Sequence, residues 1–358
     1  VQQQTTLLLK EIPSANAKPG QIAPRTLVDG NLRLVSGRDW TSGFFPGVLW
    51  YLYEYTGDKK WLAQAIDFTH KLESQQFNTG THDLGFIIYC SYGNGYRLTN
   101  NEAYKKVIIQ ASKSLSKRFN PKTGVIRSWD HNRDKWAYPV IIDNMMNLEM
   151  LFAATKFSGD SSFYKIAISH ADNTLKHHFR PDHSSYHVLD YSTTDGAVVW
   201  KGTHQGYNDA SAWARGQAWG LYGYTLMYRE TKNEAYLKQA EDIAGFILKN
   251  LPADKVPFWD FNDPAIPNIS RDASAAAITA SALYELSAYS KHKKTYLKTG
   301  NEILKSLASN YKSEPGKNRG FVLDHSTGHK PANSEIDVPL NYADYYFLEA
   351  LLRYDKLR

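Results

Sequence analysis

One cysteine among 358 residues, Cys90, leaves no internal disulfide and no cysteine-built zinc site. We read it as a small packed hydrophobe. No apolar run approaches the length that spans a bilayer, so no membrane partner is expected. Lys and Arg exceed Asp and Glu by 42 to 36, a net charge of +6, but they form no block of five or six and no nucleic-acid motif. The excess therefore favours an anionic ligand and argues against nucleic acid. A nucleophile elbow, a phosphate loop and a dinucleotide fingerprint are all missing, and no cofactor is expected. The opening Val1-Gln2-Gln3-Gln4 has neither an initiator Met nor a signal-peptide pattern, so we expect a processed chain, periplasmic or secreted if a signal peptide was removed and cytoplasmic otherwise. Oligomeric state is not readable from the residues.

What is present in quantity is aromatic: 9 Trp and 24 Tyr, enough for a core with rings to spare for a cleft. Aromatic rings in a wet cleft suit sugars, whose apolar faces stack while their edges hydrogen-bond.

The main organising feature is a loose internal repeat. Helical stretches end in a short polar turn, an aromatic follows, and a second amphipathic stretch begins. The five junctions lead into Trp61, Tyr104, Tyr164, Tyr236 and Tyr296, which is too irregular for a tetratricopeptide solenoid of about 34 residues per unit. Five junctions make five hairpins. The two helical ends, Gln2 to Ile12 and Tyr342 to Tyr354, would pair as a sixth and close a ring. We therefore expect an all-α chain, an (α/α)6 toroid occupying residues 1–358 as one domain. Val198-Val199-Trp200 and Phe321-Val322-Leu323 read as short extended pieces in the long connections, roughly 121–140, 179–209, 251–271 and 313–341. Connections of that length are expected to build a cleft at one mouth of the ring.

In such a ring the first helices of all hairpins run the same way, gathering Trp40, His82-Asp83, Asp143, the segment Asp209 to Trp219, Arg271-Asp272 and Asp344 at one mouth. Converging helix N-termini also favour an anion. Asp143 follows the apolar run Val140 to Ile142 at a helix start, where capping alone would explain an acid. Burial there would instead demand pairing or protonation, making it a candidate proton donor, with Asp83 a second acid in similar context. On a helix Arg215 and Trp219 share a face, suited to a carboxylate-bearing sugar. The plain alternative is that Arg215 pairs with a structural acid such as Asp209. His177, His178, His183 and His187 fall within eleven residues, but their spacing fits no metal site and none is expected. His187 reads better as a neutral or cationic hydrogen-bond donor.

Five motifs carry a resemblance: WTSGFFPG from Trp40, HDLGF from His82, KWAYPVIIDNMMN from Lys135, THQGYNDASAWARGQAWG from Thr203, and SEIDVPLNYADYYFLEALLR from Ser334. In this order they resemble the unsaturated glucuronyl hydrolases, from near residue 40 to the C-terminus. That family has a six-hairpin α/α toroid and acts on unsaturated uronyl sugars left by polysaccharide lyases at the non-reducing end. The resemblance implies an unsaturated uronyl oligosaccharide as partner, Asp143 as general acid/base and Asp83 as its partner carboxylate. It also implies a sugar site lined by Trp40, Trp136, His187, Thr203, Gln205, Trp213, Arg215 and Trp219. The segment His329 to Ser334 matches a loop that closes over the next sugar and varies among relatives. Ser334 is thus a binding candidate, with Lys330 beside it for a sulfate. The alternatives are an unsaturated rhamnogalacturonyl or other plant or algal uronyl hydrolase, a toroidal polysaccharide lyase, and a non-catalytic helical scaffold.

Overall fold

The computed structural model describes residues 1–15 and 17–358. Its α-helices are α1 (Gln2–Glu11), α2 (Phe44–Thr56), α3 (Lys59–His70), α4 (Asn94–Thr99), α5 (Glu102–Ser116), α6 (Leu148–Ser158), α7 (Ser161–His177), α8 (Ala214–Thr231), α9 (Glu234–Asn250), α10 (Ala273–Leu286), α11 (Lys293–Ser306) and α12 (Asn341–Asp355). A π-helix, Gly85–Gly93, runs into α4, and a 3₁₀ helix, Ile142–Asn147, runs into α6.

Sequence pattern decides which helices go inside. In α2, α6, α8, α10 and α12 apolar or small residues occur on every face and more than half of each helix is buried. By contrast α3, α5, α7, α9 and α11 bury only one stripe and expose charged residues elsewhere, the amphipathic pattern of an outer helix. Inner helices pack in sequence around the ring, and α12 closes it between α10 and α2.

Four of the five junctions share one local chemistry. A residue in the left-handed region ends the inner helix (Gly57, Asn100, Gly159 or Lys232), and an Asp or Asn then caps the outer helix. Asp58, Asn101, Asp160 and Asn233 each accept from the backbone N–H two residues on, at 2.8 to 3.0 Å. The sixth hairpin differs from expectation. Instead of lying tightly along α12, α1 is fastened to the connection before it. Gln4 Nε2 donates to the carbonyls of Lys317 and Phe321, and its Oε1 accepts from Gly316 N–H at 2.7 Å. An open groove bordered by Val1, Gln2, Leu348, Leu351 and Leu352 runs between the two ends.

The strands are short and belong to the connections. β1 (Gln21–Val28) and β2 (Asn31–Ser36) form a hairpin, β3 (Phe119–Asn120) pairs with β4 (Val125–Ile126), and β5 (Pro139–Ile141), β6 (Val188–Tyr191) and β7 (Val198–Gly202) make an antiparallel three-stranded sheet. β8 (Ser326–His329) and β9 (Ser334–Val338) form a last hairpin. Val198 to Trp200 is therefore extended as expected. Phe321 to Leu323 makes only a single bridge, Leu323 to Lys312, because the Asp344 carboxylate takes the N–H groups of Val322 and Leu323 that a strand would have used. The β1–β2 hairpin was not anticipated, since its alternation is broken by Pro24 and two register shifts.

Candidate active site

One mouth of the ring holds a cavity of about 430 Å³ lined by Trp40, Asp83, Asp143, Gln205 and Arg215, together with Arg25, Arg38, Trp129, His131, His204, His329, Glu335 and Tyr342. The inner-helix starts and the β1–β2 and β8–β9 hairpins contribute to its wall.

Strand pairing aims Asp143. Ile141 pairs with Val188, Ile142 N–H donates to the His187 carbonyl at 3.1 Å, and Ile141 N–H donates to Ser128 Oγ at 2.9 Å. The 3₁₀ helix then starts without any side-chain cap, so Asp143 is not spent on capping. Its Oδ2 is buried with no hydrogen-bond partner, and the side chain is only 10% exposed. Burial pushes this carboxyl up to about 7; Arg215 opposes the shift and the charge on Asp83 adds to it. Near neutrality a large fraction is therefore the protonated acid.

Asp83 sits at the head of the π-helix. Thr81 Oγ donates to its Oδ2 at 2.8 Å, and His82 Nε2 lies 3.2 Å from its Oδ1. Burial holds His82 below the usual imidazole range, with Asp83 opposing. The two acid-bearing turns touch through Gly85: a Cβ there would meet Asn147 Cα at 2.6 Å, so only glycine permits this approach.

Arg215 is 1% exposed, and its acidic partner is Asp272 at 2.7 Å, not Asp209, which accepts from Thr203 N–H. It also donates to the carbonyls of Thr327 and Gly328, while its Nε–H faces no partner. Trp213 stacks over the guanidinium at 4.5 Å. Gln205 Nε2 donates to the same Gly328 carbonyl at 3.1 Å, and His329 Nε2 lies 3.1 Å from the His204 carbonyl. These bonds pull the β8–β9 hairpin against the helical mouth.

The remaining residues singled out from the sequence fall in different places. Trp40 lines the cavity, packed 4.9 Å from Tyr342. His187 stands behind Asp143, its Nε2 3.7 Å from Oδ2. Trp219 is buried among Phe86 and Tyr346, its indole N–H unpartnered and acting on Asp143 to favour the carboxylate. Trp136 is buried behind Trp129 and His204, one layer back from the cavity. Thr203 accepts from Gly206 N–H and shapes the turn presenting His204 and Gln205. Ser334 is half-buried on β9 outside this cavity, and Lys330 borders a separate surface depression with Arg271 and His325.

Sequence reasoning missed Arg25, Arg38, Trp129, His204 and Glu335. Arg25 makes two bonds to Glu335, at 2.6 and 2.8 Å, and one to Asp39 at 2.8 Å. Nothing local marks it, because its chief partner lies 310 positions away. Among the described residues no group of His, Cys, Asp and Glu is arranged to hold a metal, and no helix is long and apolar enough to cross a membrane.

A ring of helical hairpins with a buried acid at an aromatic, polar mouth is the framework of a carbohydrate-cleaving hydrolase. The chain belongs to Glycosyl Hydrolase Family 88, whose model matches residues 23–346. It is 53% identical over 327 residues to an unsaturated glucuronyl hydrolase of Formosa agariphila, covering 90% of this chain and 82% of that one. It is 34% identical over 337 residues to an unsaturated chondroitin disaccharide hydrolase of Streptococcus pyogenes serotype M1, covering 92% and 84%. A crystal structure of an unsaturated glucuronyl hydrolase specific for heparin superposes with a TM-score of 0.94 at 49% identity, covering 99% of this chain and 96% of that one. The fold is the (α/α)6 toroid, and the protein is a glycoside hydrolase with a carbohydrate substrate.

Proposed function

We propose that this chain, acting as one catalytic domain, removes the unsaturated 4-deoxy uronic acid from the non-reducing end of lyase-generated glycosaminoglycan disaccharides. The observation that carries the reading is Asp143: a buried carboxyl raised to about 7, open to a cavity it shares with Asp83. Similarity to relatives named for heparin and chondroitin fragments supports the substrate class.

The substrate has a C4=C5 double bond conjugated with its carboxylate, and C5 carries the ring oxygen, making a vinyl ether. Asp143 gives its proton to C4. The π pair forms the new C4–H bond, and the positive charge left on C5 is shared with the ring oxygen. Water adds at C5 and returns a proton to the Asp143 carboxylate. The C5 hemiketal opens, C1 becomes a hemiacetal, and its collapse releases the neighbouring sugar. C1 is never attacked, so carboxylate separation does not report retention or inversion here.

A donor for this step must be protonated near the working pH and competent as a base afterwards. Burial keeps Asp143 protonated, and the charge of Asp83 adds to it. Arg215 and Gln205 face the uronate carboxylate and Trp40 flanks the ring, with Trp219 acting on Asp143 from behind and Trp136, Thr203 and Trp213 holding those groups in place. His187 acts on Asp143, and Ser334 stands on the hairpin nearest the second sugar. The test follows loss of enoate absorbance across lyase-generated disaccharides that differ in linkage and sulfation. Consumption of a heparin- or chondroitin-derived member is expected. Gain of absorbance on intact polysaccharide, or no reaction with any disaccharide, would overturn the reading.

A further inference from the structure

Three buried N–H groups and one buried carboxyl oxygen in and behind the cavity wall lack protein partners: His187 Nε2, Trp219 Nε1, Arg215 Nε and Asp143 Oδ2. Unpaired buried polar atoms are rare, and four together need an explanation. His187 supplies one. Its backbone is clamped on both sides, its N–H to the Gly202 carbonyl and its carbonyl to Ile142 N–H, each at 3.1 Å. Its ring Nδ1 accepts the backbone N–H of His204 at 3.1 Å and that of Gln205 at 3.0 Å. Two backbone donors aimed at one ring nitrogen require that nitrogen to carry a lone pair. The ring hydrogen therefore sits on Nε2, which points at Asp143 Oδ2 from 3.7 Å.

We propose that His187 is a permanently neutral ring whose Nε2–H dipole faces Asp143 Oδ2 and favours a lone pair there, so that the acid proton resides on Oδ1, the oxygen turned toward the cavity. Oδ2 is closed to solvent, so the exposure the carboxyl retains falls on its other edge. His187 is thus a positioning residue: it decides which oxygen carries the proton delivered to C4, and it stabilises the carboxylate left after transfer. The groups facing it enforce neutrality. Burial, His204, His329, Arg215 and His178 all hold it well below the usual imidazole range, and Asp143 is the one acid against it. Facing Asp143 in turn are Arg215, Asp83 and the Trp219 indole. This assignment rests on Asp143 being the proton donor, but the first measurement below does not.

The full-length wild-type protein with ¹⁵N-labelled histidine rings is followed by NMR from about pH 5 to 8, the window in which an ordinary histidine titrates. His187 is assigned through its contact with the Trp213 ring, 4.6 Å away. The expected result is the neutral Nε2–H pattern at every pH. An imidazolium signal or an Nδ1–H pattern overturns the proposal. In the second measurement, His187→Gln keeps a donor near the Nε2 position and His187→Asn keeps only the acceptor near Nδ1. The basic limb of kcat/KM should rise by about one pH unit in His187→Asn and hold in His187→Gln, since loss of an N–H dipole facing a carboxylate raises its pKa. Any other pattern overturns the proposal. Retained turnover in Asp143→Asn would instead remove the reaction assigned above while leaving the tautomer result intact.

Discussion

Phe86 N–H donates to Asn147 Oδ1 at 3.0 Å, joining the turn that carries Asp83 to the turn that carries Asp143. The two acids are 60 positions apart in sequence, and this buried bond, with the close approach at Gly85, fixes their relation. Asn147→Ala leaves a buried N–H unpaired, which costs roughly 1–3 kcal/mol of stability. Urea denaturation should show that loss. The kcat of the folded variant should fall more than its substrate affinity.

Asp143 should make the fold less stable as pH rises. Its folded pKa of about 7 lies above the ordinary aspartate value of 3.8, so the folded state holds a proton that the unfolded state has released between those values. The stability favouring protonation is fully present below about pH 4 and is lost as pH rises through about 7. Asp143→Asn removes the dependence. Denaturation curves at pH 5 and pH 8 should show the variant gaining on the wild type with pH, by at most about 2.6 kcal/mol. Activity should fall above about pH 7 over the same titration.

Arg215 and Asp272 are both sealed from water, 1% and 0% exposed. Removing one partner strands the other, so Asp272→Ala should lose about 3–5 kcal/mol, and Asp272→Asn, which keeps the shape, less. Isothermal unfolding of the two variants separates the charge from the packing.

Glu335 holds the β8–β9 hairpin to Arg25 across the mouth. In Glu335→Gln the bidentate charge-assisted pair is weakened. The expected outcome is a several-fold rise in KM for a disaccharide with kcat little changed, read by steady-state kinetics.

How much of this was legible depended on the range of the interaction involved. The hairpin repeat was readable because Asp58, Asn101, Asp160 and Asn233 cap helices two residues ahead, a purely local chemistry. As a control, Asn233→Ala should cost about 1 kcal/mol without altering kcat. Asp143 could be suspected from the apolar run before it, yet capping by itself was the better explanation for an acid there; the structure instead leaves the helix start uncapped and Oδ2 unbonded in the cavity wall. The Asp272 partner of Arg215 and the Glu335 partner of Arg25 depend on contacts 57 and 310 positions apart, which no local pattern encodes. The β1–β2 hairpin that presents Arg25 is a local pairing, but Pro24 and two register shifts break the alternation that would have marked it.

The most direct test of the proton-donor role is the rate of enoate loss with Asp143→Asn, measured beside substrate binding by calorimetry. Turnover should drop by at least about 10³-fold while affinity stays within a few-fold of wild type, as expected when a group acts only in the transition state. Turnover at the wild-type rate would contradict the account.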